Sequence, residues 1–254
     1  PCLVDESLEV CGASILEKQR ILDALDKIPE SARASLPTIG RFYVEEAQYY
    51  QRPDGSQAEG ILGVALSDHN EIFLNRTNLS TQQLTFEMGA LQFTKSPEKL
   101  AEYHDRLQSI QEGERTNWED TIWHEVAHIH DKYLGFEGKF LSEMPGSPFG
   151  RDPWASEYAE ETGKPYEDFA EAYAALLKQR QKALANGETH EDFMINALNN
   201  PEFGQKTDLF WKIIGTDQQP NQAANHDSKV LLPPLANGVP GPLLAEASIP
   251  SDSL

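Results

Sequence analysis

The sequence NWEDTIWHEVAHIHDKYLG, residues 117–135, has the apolar spacing of an amphipathic helix and ends at a glycine, Gly135. Its apolar face, which we expect to pack against the domain, is formed by Trp118, Ile122, Val126, Ile129 and Tyr133. The opposite face carries His124 and His128, which are four residues apart and so lie about one turn apart. We therefore predict a helix that packs one side into a core and presents the other to a cleft.

His124, Glu125 and His128 form an H-E-x-x-H pattern, which is typical of zinc sites in hydrolytic enzymes. Two imidazoles at this spacing can bind one zinc ion, and Glu125 beside them is placed to take a proton from an attacking water. The alternative is that both histidines are hydrogen-bonded residues of a buried helix that binds no metal. His130 lies off this face, and we expect a surface or hydrogen-bonded histidine there rather than a ligand.

Zinc in a hydrolytic site usually takes three protein ligands and one water, so a third ligand is needed. The metzincin continuation is excluded, because Asp131 and Leu134 occupy the positions where it requires Gly and His. A carboxylate from a second helix remains, and residues 165–185 predict such a helix with Glu167 and Glu171 one turn apart. One carboxylate would bind zinc, and the other would accept a hydrogen bond from a ligand imidazole. The alternative is that both are solvated helix acids of an acidic chain.

The motifs HEVAHIHDKYLG, SEYA and EDFAEAYA resemble those of gluzincin metallopeptidases, in particular the catalytic domain of anthrax lethal factor and the Pro-Pro endopeptidases. The resemblance covers residues 62–177 and is specific over the two motif helices. It implies a zincin-like fold in which His124, His128 and Glu167 bind one zinc ion and Glu125 is the general base.

The same resemblance assigns roles to three further residues. Glu171 and Asp131 match acids that surround the zinc ligands, and Tyr158 in SEYA matches the tyrosine that donates to the oxyanion in the transition state. The spacing departs from the family pattern, because two additional residues separate Tyr158 from Glu167. Tyr166, directly before Glu167, is therefore an alternative donor.

The activity implied is that of an endopeptidase, with zinc as its cofactor and a peptide or protein bound in extended form as its substrate. The strand beside the motif helix, expected within residues 63–75, would offer that peptide a free edge. Two other classes stay open: a zinc hydrolase acting on a non-protein amide or a cell-wall peptide, and a binding or toxin module with a vestigial zinc site. The intact Glu125 argues against the last, because a structural zinc site needs no base.

The rest of the sequence predicts an α+β fold that is mostly helical, with a small antiparallel sheet beside the motif helix. Strand-like runs lie within residues 41–75, and further helices are expected at residues 14–34, 81–89, 97–112 and 203–214. We divide the chain into an N-terminal helical segment (1–36), a zincin-like metallopeptidase domain (37–215) and a Pro-rich irregular tail (216–254).

The chain of 254 residues carries 21 Lys and Arg against 41 Asp and Glu, a formal net charge of −20. So acidic a surface disfavours binding to nucleic acid and to anionic membranes, and no apolar run approaches the roughly 20 residues of a membrane span. The only cysteines, Cys2 and Cys11, predict a disulfide that closes a short loop, the alternative being two reduced thiols. Together with a first residue, Pro1, that is not Met, this predicts a secreted or periplasmic protein. The sequence predicts no oligomeric state.

Overall fold

The computed structural model describes residues 2–5, 8–47, 49–51, 55, 57–79, 97–200 and 204–214, all within the compact unit Pro1–Gln218. The strands are β1 (Cys2–Asp5), β2 (Leu8–Cys11), β3 (Arg41–Glu45), β4 (Tyr49–Gln51), β5 (Gln57–Glu59), β6 (Gly63–Leu66) and β7 (Glu71–Asn75). The helices are α1 (Ile15–Asp26), α2 (Glu30–Ser35), α3 (Arg76–Leu79), α4 (Pro97–Leu134), α5 (Glu157–Thr162), α6 (Pro165–Ala185), α7 (His190–Leu198) and α8 (Gly204–Ile214), with a 3-10 helix at Leu141–Glu143.

Five of these strands form one mixed sheet in the order β1-β2-β3-β7-β6, while β4 and β5 form a separate antiparallel pair. The outer pairs β1/β2 and β6/β7 are antiparallel, but β3 is parallel to both of its neighbours, β2 and β7. The prediction of an α+β fold is confirmed, and the prediction of an antiparallel sheet is wrong for the central pairs. For the β2/β3 pair the reason is that α1 and α2 form a helical crossover between the two strands, which lets the second strand run in the same direction as the first.

The helix predicted over residues 14–34 is divided into α1 and α2. Ser14 and Glu17 form a capping box that fixes the start of α1, since each side chain binds the backbone N–H of the other residue. The break between the two helices falls just before Pro29, which is the N-cap of α2. A proline disfavours the helical conformation in the residue that precedes it, here Ile28, and so separates the helices.

Two predicted helices, residues 97–112 and 117–134, are one continuous helix, α4, of 38 residues. Its length is about 57 Å at the usual rise per residue. Gly113 lies in the segment that joins the two predictions, and a single glycine lowers helix propensity without ending a helix. The predicted apolar face is buried at Trp118, Ile122, Val126 and Ile129. Tyr133, expected on that face, is instead 59% exposed.

Helix α6 has the bounds that the sequence predicted, and it packs along α4. Its predicted apolar residues Phe169, Tyr173 and Leu176 are buried. His130 of α4 is also fully buried, and its ring meets the Tyr173 ring edge-on with 6.0 Å between centroids. The short helices α5 and α7 were not predicted, because six and nine residues give little room for a periodic pattern.

The N-terminal hairpin is closed by the predicted disulfide between Cys2 and Cys11, which face each other across β1 and β2. Because β2 pairs with β3, the N-terminal segment shares one sheet with the domain predicted over residues 37–215. The predicted tail (216–254) and the predicted helix at 81–89 lie outside the described residues. Within the part of the chain that the structure describes, no helix is both long and apolar enough to cross a membrane.

Candidate metal centre

Helices α4 and α6 bring three predicted ligands together. The Nε2 atoms of His124 and His128 are 3.1 Å apart, and Oε2 of Glu167 lies 3.3 Å from the first and 3.5 Å from the second. Ligand atoms about 2.0–2.1 Å from a tetrahedral zinc ion are separated by about 3.3–3.4 Å from one another. The three atoms therefore have the spacing that one tetrahedral ion requires, and they form one of two clusters of metal-ligating side chains among the described residues. The other cluster is Cys2, Glu9 and Cys11, and its thiols are joined in the disulfide.

The environment of the Glu167 carboxylate is compatible with a cation between these groups. Its Oε2 atom is buried and makes no hydrogen bond, and a buried polar atom without a partner is rare in proteins. Burial alone would raise the pKa of Glu167, but the imidazoles of His124 and His128 bring that pKa well below its usual range. A carboxylate that stays ionised beside two imidazole nitrogens has the donor chemistry of a zinc site. The residues at this centre therefore fit a zinc ion.

Glu171 fixes the orientation of the first histidine. Its Oε1 lies 2.8 Å from Nδ1 of His124, so Nδ1 donates to Glu171 and Nε2 is turned toward Glu167 and His128. Burial would lower the pKa of His124, but Glu167 and Glu171 together raise it to about 10. This attraction for positive charge is what a cation-binding site requires. Burial would raise the pKa of Glu171, but His124 and, to a smaller extent, Ser156 lower it.

Glu125 lies beside the three ligand atoms and is only 6% exposed. Burial raises the pKa of its carboxyl group, while the imidazoles of His124 and His128 oppose that shift. The backbone N–H of Ala65 in β6 also acts to lower that pKa, and Gly63 in β6 lies in contact with Glu125. The edge strand of the sheet and the predicted base are therefore neighbours.

Tyr158 and Tyr166, the two alternative donors, occupy different places. Tyr158 in α5 is half exposed, and its ring centroid is 6.3 Å from that of His124. Burial, helped by the nearby carboxylates, raises the pKa of Tyr158 to about 12, so the phenol keeps its proton. Tyr166 instead stacks on Phe140 and meets the edge of His128, with centroids 5.2 and 5.8 Å apart. Tyr158 lines the cavity described next, and Tyr166 does not.

A cavity of about 630 Å³ opens beside the ligands. The edge strand β6 and the residues before it form one wall, and α4 and α6 form the others. Among the residues that line it are His124, Glu125, Tyr158, Glu171, Leu62 and Gly63. The predicted base, one ligand and one predicted donor thus face a common space that is large enough for several side chains of a peptide.

Asp131, which follows the H-E-x-x-H pattern on α4, is fully buried and pairs with Ser142. Both of its carboxylate oxygens bind Ser142: one accepts from the backbone N–H at 2.7 Å and the other from the hydroxyl at 2.5 Å. Burial raises the pKa of Asp131 to about 7, although the bonds from Ser142 lower it. Asp131 thus anchors the 3-10 helix to α4. These two hydrogen bonds go to Ser142 and not to His124 or His128.

Three residues near the centre were missed by sequence reasoning. Gly63 allows β6 to approach Glu125, and Asp168, next to the ligand Glu167, forms a buried ion pair with Lys206 of α8. A signal existed for Asp168, because it directly precedes the largely apolar segment FAEAYA (169–174) of a motif helix. No local pattern marks Gly63 or Lys206, since their roles arise from contacts with distant segments.

No protein-family model matches the chain, and comparisons with curated proteins and with solved structures give no match. The functional interpretation therefore depends on the side-chain geometry described above.

Proposed function

We propose that the protein is a zinc-dependent endopeptidase of the gluzincin type. The observation that carries this proposal is the tetrahedral spacing of the His124, His128 and Glu167 ligand atoms, with Glu125 beside them and a cavity in front. A structural zinc site closes its fourth position with a protein ligand, whereas a hydrolytic site leaves that position to water or substrate. Three ligands and an adjacent base favour the second kind of site.

The zinc ion, when bound, supplies Lewis-acid polarisation of the scissile carbonyl group and lowers the pKa of a water molecule. Glu125 accepts a proton from the attacking water, whose oxygen bonds to the carbonyl carbon. The same carboxyl group then passes that proton to the amide nitrogen as the C–N bond breaks, which leaves a carboxylic acid and an amine. The hydroxyl of Tyr158 donates to the developing oxyanion, and Glu171 keeps the Nδ1 proton on His124 throughout.

The substrate that fits this centre is an extended peptide. Among the strands that the structure describes, β6 pairs with β7 alone and ends the sheet, which leaves its other edge for strand addition. Its residue Gly63 lines the cavity and touches Glu125, which puts a peptide bound along β6 within reach of the base. A disulfide persists in an oxidising compartment, and a secreted or periplasmic location is part of the proposal.

Metal analysis and cleavage profiling together test this proposal. We expect one zinc per chain and cleavage of an unbiased peptide library that stops on chelation and returns with added zinc. A parallel digest of purified cell-wall material separates a peptidase from a hydrolase of cell-wall amides. Stoichiometric zinc without cleavage of any peptide would overturn the proposed activity, and absence of zinc binding would overturn the metal centre itself.

A further inference from the structure

A buried ion pair joins α8 to the metal-binding helix α6. Nζ of Lys206 lies 2.8 Å from both carboxylate oxygens of Asp168, and the side chains are 4% and 0% exposed. Burying two charges costs desolvation energy, and a well-packed apolar pair of similar size is often at least as stabilising. Such a pair is better explained by the directional bonds that it makes than by stability alone.

Those bonds all go to one loop, residues 149–156, which leads into α5. The carboxylate of Asp168 accepts from the backbone N–H groups of Gly150 at 2.9 Å and Ala155 at 2.8 Å. Lys206 donates to the carbonyl oxygen of Pro153 at 2.5 Å. The loop is thus held at its beginning, middle and end by one ion pair.

The loop carries the residues that complete the centre. Its last residue, Ser156, caps α5, and two residues later the Tyr158 ring lies 6.3 Å from the His124 ring, centroid to centroid. Both Ser156 and Tyr158 line the cavity beside the centre. Asp168 directly follows Glu167 on α6. Asp168, which holds the loop, and Glu167, the proposed metal ligand, therefore belong to the same helical turn. Contacts that hold the loop against Asp168 also fix its position relative to Glu167.

We infer that Lys206 and Asp168 are positioning residues that hold loop 149–156 against α6 and thereby keep the Tyr158 hydroxyl over the metal centre. The catalytic part of this inference depends on the proposed function. The structural part does not, because it concerns which contacts fix the loop.

The structural part is tested by amide hydrogen exchange on Lys206→Met, which removes the ammonium group and retains most of the apolar stem. We expect peptides from residues 149–159 to exchange at least about tenfold faster, since the loop loses its bond at Pro153 and the charge that orients Asp168. Exchange in α4 should stay unchanged. Lys182→Met is the matched control, because it removes an exposed lysine from α6. Unchanged exchange in residues 149–159 of Lys206→Met would overturn the inference.

The catalytic part is tested by kinetics at equal zinc content. Lys206→Met should lower kcat by about 10-fold to 100-fold with KM within about twofold, because a shift of about 1 Å in a catalytic group has an effect of this order. In a Tyr158→Phe background the same change should have little further effect on kcat. Equal losses in both backgrounds would show that Lys206 does not act through Tyr158 and would overturn its positioning role.

Lys206→Met could lower stability because it leaves Asp168 charged and buried, so a second variant is needed. The double variant Asp168→Asn/Lys206→Met removes both charges and should show the same faster exchange and lower kcat while folding with full zinc content. A double variant with wild-type exchange and kcat would contradict the inference. If the wild-type protein shows no zinc-dependent peptidase activity, the proposed function fails, and the exchange measurement still decides whether the ion pair holds the loop.

Discussion

Gly63 of β6 lies directly against Glu125 of α4. A Cβ atom added to Gly63 would come within 2.9 Å of both Cγ and Oε1 of Glu125 and 3.0 Å of Cγ2 of Thr121. Carbon atoms in contact normally lie about 3.5–4.0 Å apart, so only a glycine permits this approach. Strand β6 can therefore approach Glu125 this closely because residue 63 has no side chain.

Gly63→Ala should lower kcat/KM by about 10-fold to 100-fold at unchanged zinc content, because β6 or the Glu125 carboxylate must move away from its position. Steady-state kinetics with metal analysis of the same preparation measures this. Gly40→Ala is the control, since an added Cβ at this exposed glycine meets nothing within 4 Å. Wild-type kcat/KM in Gly63→Ala would show that the close contact is not needed for catalysis.

The ligand set is tested by single substitutions. His124→Ala, His128→Ala and Glu167→Ala should each lose bound zinc, whereas Glu157→Ala, an exposed acid of α5, should keep it. Glu171→Gln should weaken zinc affinity by about 10-fold to 100-fold, because it alters the bond that fixes His124. Competition with a chelator of known affinity gives these values. Retention of tightly bound zinc by Glu167→Ala would remove Glu167 from the ligand set.

Glu125→Gln should keep zinc and the native fold but lose about 10²–10⁴ in kcat, because an amide cannot accept the proton from the attacking water. The amide has nearly the same size and shape as the carboxylate, so the shape of the site is retained. Glu161→Gln, which removes the same charge at an exposed position of α5, is the control. Near-wild-type turnover in Glu125→Gln would exclude this residue as the base.

Tyr158→Phe should lower kcat by about 10²–10³ with little change in KM or zinc content, because the hydroxyl acts on the oxyanion of the transition state. Tyr166→Phe should change kcat little, since Tyr166 packs on Phe140 away from the cavity. Side-by-side kinetics of the two variants measures both effects. A reversed result would transfer the role to Tyr166, and two silent variants would remove tyrosine from the mechanism.

The buried Asp131 predicts a pH dependence of stability. Its pKa is raised from 3.8 to about 7 in the folded chain, so between these values the folded state holds a proton that the unfolded state has lost. Its contribution to the free energy of unfolding therefore falls as pH rises from about 4 to about 7, by at most about 1.4 kcal/mol per pH unit. Asp131→Asn should remove this slope. Denaturant unfolding of both proteins at pH 5 and pH 8 gives the difference, and parallel stability profiles would contradict the prediction.

The residues expected at the centre could be predicted because their information is local. His124 and His128 are one turn apart in one helix, and Glu167 and Glu171 are one turn apart in another. Helical periodicity alone places each pair on one face. The structure then brings the two faces together, as the resemblance implied but periodicity could not.

The features that were not predicted depend on contacts between distant parts of the chain. The direction in which β3 pairs with β2 and β7 depends on crossovers, which an alternating strand pattern does not encode. The contact of Lys206 with Asp168 spans 38 residues, and each residue alone has the pattern of a surface charge. Asp131 was assigned by its position after the motif, whereas its partner Ser142 lies in a short helix that has no periodic signal.

On the proposed function, the acids at the start of α6 link folding to metal binding. Glu167 and Glu171 are like charges one turn apart whose side chains are 12% and 29% exposed, an arrangement that costs about 0.2–0.5 kcal/mol without a cation. A bound ion reverses this cost, and free zinc at about a hundred times its Kd adds about 2.7 kcal/mol to the free energy of unfolding. On the proposed function, a chain made where zinc is scarce is therefore inactive and also easier to unfold and degrade, so zinc supply sets how long the protein survives as well as whether it works.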